Sequence, residues 1–156
     1  MRKFCTILLL TVLAILLTGI SAQQPRKNSI RGEIDAALQN GKTVVLAVAP
    51  TPHRNTGDDE AYGDWASYLE AFTSHAGPDI KILKVTPTAV SQLLSEPRLA
   101  ETYATLFLRD RDHALVYDGM ALEPGVYSAG LAYLANKRDT KLETGYGLKE
   151  KAARFR

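Results

Sequence analysis

The chain has 156 residues, with 19 basic against 17 acidic side chains, one cysteine and 46% hydrophobic residues. That length and apolar share suit one domain with one core. The near-balanced charge excludes the strong basic field of a general nucleic-acid binder, and a lone cysteine excludes an intrachain disulfide.

The chain begins with Arg2 and Lys3, an apolar run over residues 4–17, and a mostly small or polar stretch to Ala22. This is the layout of a secretory signal peptide over residues 1–22. The run is short for the roughly 20 residues that a bilayer core demands. No cysteine follows it to accept a lipid. The expectation is export to the periplasm or the extracellular space, with membrane contact only through this segment if it stays uncleaved. Removal takes Arg2, Lys3 and Cys5 with it. Residues 23–156 then hold no cysteine and 17 charges of each sign. They have no thiol to react.

Residues 23–29 read as a flexible lead-in, with Ser29 placed to cap a helix. Ile30, Ile34, Ala37 and Leu38 recur at helical spacing, and Asn40-Gly41 ends that helix. Residues 43–48, TVVLAV, form a nearly continuous β-branched apolar run. That is the pattern of a strand covered on both faces. A Pro-rich loop, APTPHRNTGDD, follows.

The spacing of Trp65, Tyr68, Leu69 and Phe72 predicts a helix over residues 59–75 with these four on its buried stripe. Thr56 and Asp59 have the spacing of a capping box. Asp58, Asp59 and Glu60 suit the positive end of the helix dipole. Gly77-Pro78 stops the helix. In residues 79–86, Ile80 and Ile82, with Lys84 in the same phase, alternate with Lys81, Leu83 and Val85. This implies a strand with one well-buried face. Residues 88–94 form a short helix. Ser95 caps another turn near Pro97, whose inward side is Leu99 and Tyr103. Residues 105–108 and 113–117 make a hairpin around the polar turn at 109–112. A last helix spans 124–136, with Val126, Tyr127, Leu131 and Leu134 apolar. Residues 137–156 carry seven basic and three acidic side chains, with Leu142, Leu148 and Phe155 as the apolar anchors. They read as a basic, partly disordered C-terminal tail.

Helix, strand, helix, strand, helix, hairpin, helix is an α/β order. It implies one mixed sheet with helices on both faces. Over residues 30–136 this order resembles the thioredoxin-like superfamily. The stretch LAETYATLFLRDRDHALVYDG carries the resemblance most specifically, with Ala104 where that family has its cis-proline. Lined up on Ala49, the family's two cysteine positions fall on Pro52 and Asn55, with His53 and Arg54 between. The resemblance implies a thioredoxin-like mixed central sheet, a β-α-β unit plus a β-hairpin and a C-terminal helix. It also implies that the 50–58 loop and Tyr103-Ala104 lie side by side. Without thiols or the cis-proline, the family's redox activity does not carry over.

Other chemistry finds little support in the residues. His53, His75 and His113 have no short metal-ligand spacing. Residues 58–60 lack the alternating oxygen ligands and glycine of a calcium loop. No serine sits in a nucleophile-elbow frame. The expected assignment is therefore a non-catalytic binding module with no cofactor and no metal. Its contact surface is Pro52, His53, Arg54, Asn55, Asp58, Tyr103 and Ala104. Its partner is a protein of the envelope or extracellular space, not nucleic acid. The other reading is a small-molecule or metal-binding envelope protein that uses the 50–58 loop, His53 and neighbouring acids.

Overall fold

The computed structural model describes residues 29–51, 58–94 and 103–154. The chain runs α1 (Ile30–Gln39), β1 (Thr43–Val48), α2 (Asp58–His75), β2 (Ile80–Val85), α3 (Pro87–Leu93), β3 (Ala104–Leu108), β4 (His113–Asp118), α4 (Pro124–Leu134), α5 (Thr140–Gly145) and β5 (Lys149–Ala152). The signal-peptide and lead-in expectations for residues 1–28, the Thr56–Asp59 capping box, the turn at Ser95, Pro97 and Leu99, and the Phe155 anchor lie outside the described residues or side chains.

The five strands form one mixed sheet in the order β2-β1-β3-β4-β5. β1 pairs parallel with β2 and antiparallel with β3, and β3, β4 and β5 continue antiparallel. β1 is therefore an interior strand, which explains its apolar composition: Val44 to Val48 are all fully buried. Side chains alternate across the pleat, so its residues feed two cores. Val44, Leu46 and Val48 face α1 and α3 in one core, with Leu83 and Val85 from β2. Val45 and Ala47 face α2 and α4 in the other. Helices thus cover both faces, as the element order implies.

Local chemistry sets the helix ends. Ser29 Oγ accepts from the Gly32 N–H at 3.2 Å. Gly41 takes φ +71° just beyond α1, the left-handed turn that glycine adopts without a Cβ clash. Thr86 caps α3 by accepting from the Ala89 N–H, and Pro87 opens the helix.

Three local expectations change. Tyr68 is 37% exposed, while Trp65, Leu69 and Phe72 are buried. The α2 stripe is narrower than the spacing implied, and Tyr62 packs against its core instead. In β2 the better-buried pair is Leu83 and Val85, whereas Ile80 and Ile82 are only partly covered. Residues 137–154, expected to be partly disordered, are built into the fold. Asp139 caps α5 by accepting from the Leu142 N–H at 3.0 Å, and β5 extends the sheet beyond β4.

A charged clasp holds that last segment. Arg138 donates through Nε and Nη2 to both carboxylate oxygens of Glu143, at 3.2 and 2.7 Å. Its Nη1 donates to Glu150 on β5. The Tyr133 hydroxyl donates to the other Glu150 oxygen at 3.1 Å. Glu143 is only 4% exposed, so the double contact from Arg138 is what offsets its desolvation. Among the described residues, no helix is long and apolar enough to cross a membrane.

Candidate functional site

The parallel pair β1–β2 ends in Val48 and Val85, and the ladder goes one step further through Ala49 N–H to the Val85 carbonyl at 3.1 Å. Helices that follow parallel strands start beyond this edge, leaving a crevice between them where α/β folds commonly place ligands. Here the crevice is a cleft of about 280 Å³. Ala49, Pro50 and Thr51 form its floor and rim. Tyr62 and Trp65 of α2 form one wall, and Thr86 and Ala89 the other.

The residue pattern explains the aromatic wall. Trp65 is on the inward stripe of α2 and is 1% exposed. Tyr62 lies one turn earlier, its ring centroid 5.2 Å from that of Trp65. Tyr103, from just before β3, approaches Trp65 from the other side at 6.4 Å. Lys84, in phase with Ile80 and Ile82 on the α2 face of β2, places Nζ 5.8 Å from the Trp65 ring centroid. That is within cation–π range. The indole Nε1 is buried with no hydrogen-bond acceptor among the described residues. An unsatisfied buried donor of this kind costs roughly 1–3 kcal/mol.

The expected site residues divide cleanly. Val48 and Ala104 are register partners in the β1–β3 ladder. The end of β1 and the start of β3 are therefore adjacent, and Tyr103 shares the aromatic cluster of Trp65. Ala104 is fully buried, so it shapes the edge from within and presents no side chain to solvent. Pro52, His53, Arg54, Asn55 and the Asp58 side chain lie outside the described residues or side chains. Residues 52–57 connect Thr51, on the cleft rim, to α2.

The other histidines lie elsewhere. His75 ends α2, its ring stacked on Tyr127 at 5.1 Å and Nδ1 2.8 Å from the Ala71 carbonyl. His113 starts β4 beside Asp110, with Nδ1 3.4 Å from Oδ1. Partial burial pushes the Asp110 carboxyl up, but hydrogen bonds from the Asp112 and His113 N–H groups and the nearby His113 ring outweigh it. The carboxyl ends below its usual range, and this arrangement tightens the hairpin turn. Among the described residues, no group of three His, Cys, Asp or Glu side chains is assembled.

Sequence reasoning missed Tyr62, Lys84 and Thr86 as parts of the site. Trp65 was read as core, and it is buried, yet it also lines the cleft. A signal for Lys84 was present, since a lysine in phase with two partly buried isoleucines at a strand end belongs at a sheet edge. Compared with family models, curated proteins and solved structures, the chain matches none of them.

Proposed function

We propose that this chain is an exported, redox-inactive thioredoxin-like domain that acts by binding a protein partner in the envelope or extracellular space. Its contact surface is the edge formed by the end of β1, the 50–58 loop and Tyr103-Ala104. The observation that carries the proposal is the Val48–Ala104 pairing, together with the 6.4 Å approach of Tyr103 to Trp65. These join the root of the loop to the start of β3 in one surface. The sheet order β2-β1-β3-β4, a parallel pair followed by an antiparallel hairpin, supports the thioredoxin-like reading. The absence of any cysteine after Cys5 supports the redox-inactive part.

Crosslinking in the native envelope tests the proposal. The wild type is compared with a variant whose residues 52–56 are replaced by Gly and Ser. Loss of a specific crosslinked partner is the expected result, and an unchanged pattern rejects this surface. Reduction of insulin disulfides by the purified protein without added thiol would overturn the redox-inactive reading.

The cleft itself favours a second reading, binding of a small molecule. Its volume is close to the lower end of small-ligand sites, roughly 300 Å³. Calorimetric titration with zinc, copper and simple anions separates the two readings. Heat that disappears in His53→Ala would select a loop-based small-ligand or metal site.

A further inference from the structure

The chemistry of the cleft names the kind of segment it receives. Lys84 is the one charged side chain among the described residues that line it, and no carboxylate is among them. The remaining lining residues with a polar side-chain group open to the cleft are Thr51, Thr86 and Tyr62, each with a hydroxyl, while the Trp65 indole N–H is buried. Thr86 Oγ1 already accepts from the Ala89 N–H, so its own proton is the group left to offer. Each of these side chains can donate, and the ammonium can only donate.

Lys84 forms no ion pair with any described carboxylate. Its ammonium lies over the Trp65 ring instead. Of the acids on the first turns of α2, the two whose side chains are described, Glu60 and Asp64, are exposed and do not line the cleft. Around this donor set the walls are apolar, supplied by Ile30, Ala49, Val85 and Ala89. A cation, donor groups and an apolar trough complement a ligand that carries an apolar body and an adjoining carboxylate.

We infer that the cleft takes a partner's polypeptide segment in which an apolar side chain is followed by an acidic one. The apolar side chain fills the trough between Ile30 and Ala89, and the carboxylate pairs with Lys84 at the mouth. This rests on the binding-module reading and adds the chemistry of the segment.

Trp65 is the chain's one tryptophan, so its fluorescence reports occupancy directly. The purified protein is titrated with acetyl-Gly-Leu-Glu-amide and with the twins that carry Gln or Lys in place of Glu. The expected result is a saturable change in Trp65 emission with the Glu peptide, about twofold to fivefold tighter than with the Gln twin. That factor is the size of one solvent-exposed ion pair. The Lys twin is weakest. Lys84→Met removes the preference for Glu over Gln, and Lys84→Arg keeps it.

Equal affinity for the Glu and Gln peptides overturns the proposal. So does a preference that survives Lys84→Met, or a lack of response by both fluorescence and calorimetry. Tighter binding of 4-methylpentanoate than of the Glu peptide also overturns it, by showing a small-acid site. Because Lys84 is exposed at the end of an edge strand, Met is expected to leave the fold intact, and circular dichroism verifies this. Failure here, with the loop-dependent crosslink still present, removes the carboxylate chemistry alone. Loss of the loop dependence removes the binding surface itself.

Discussion

At the scale of single residues, close packing separates two glycines of α4 that the sequence presents as equals. A Cβ on Gly130 would lie 2.2 Å from the Phe107 ring, and Phe107 is fully buried in β3. A Cβ on Gly125 would meet the Tyr146 ring at 2.0 Å, but Tyr146 is exposed and can swing aside. Alanine is favoured over glycine in a helix by about 1 kcal/mol. Gly130→Ala nevertheless gives a net loss of about 1–3 kcal/mol, because the overpacked core has nowhere to relax. Gly125→Ala is near neutral or mildly stabilising. Urea unfolding of the two variants checks the contrast. Periodicity placed Val126, Tyr127, Leu131 and Leu134 on this helix, but it could not mark Gly130 as a contact, since a residue without a side chain adds nothing to a hydrophobic pattern.

At the scale of elements, the sequence located most helices and strands but misplaced the end of the domain. Residues 43–48 declared a strand covered on both faces because all but Thr43 are apolar, and β1 is an interior strand that feeds both cores. The hairpin was equally legible, since its polar turn interrupts two apolar runs. Residues 137–156 read as a tail because charge held in pairs looks like solvated charge in sequence. Seven basic side chains against three acids conceal that Arg138 is committed to Glu143 and Glu150. The cleft was half legible. Pro50 and Thr51 belong to the 50–58 loop that the resemblance singled out, whereas Tyr62 and Thr86 come from two other elements that only the folded sheet brings together.

The clasp makes its own prediction. Arg138→Ala leaves the buried Glu143 carboxylate without its bidentate donor. Removing one partner of a fully buried pair costs roughly 3–5 kcal/mol. Arg138 is 38% exposed, so solvent screening brings the expected loss down to about 2 kcal/mol. Hydrogen exchange should show β5 amides losing protection more than those of β1. Equal loss throughout the sheet would show that the clasp is not local.

At the scale of the whole molecule, the buried Tyr133 and partly buried Tyr117 phenols limit stability at high pH. Burial, with Glu150 nearby and accepting its hydrogen bond, pushes the Tyr133 hydroxyl far above the usual range near pH 10. Burial, with Glu123 and Tyr68 nearby, raises Tyr117 as well. Above pH 10 the unfolded chain gives up these protons while the folded chain keeps them. By linkage, this contribution is fully present below pH 10 and is lost as pH rises beyond it. Thermal unfolding between pH 9 and 12 should therefore show a falling midpoint. Tyr133→Phe should make that fall shallower, at a cost of about 1 kcal/mol at neutral pH for the lost hydrogen bond to Glu150. An unchanged slope would mean that Tyr133 ionises as freely in the fold as outside it.

The order of synthesis gives β5 one further meaning. It is the outermost strand of the sheet, on the side where β4 otherwise ends in open N–H and C=O groups. It is also made after every other described strand. A chain that stops before Lys149 can still pair β1 to β4, but it lacks Ala153 of one core, and the row from His113 to Val116 has no neighbour. An unpaired row of this kind is a template for a strand from another chain. Such a truncated chain would therefore be adhesive at one edge.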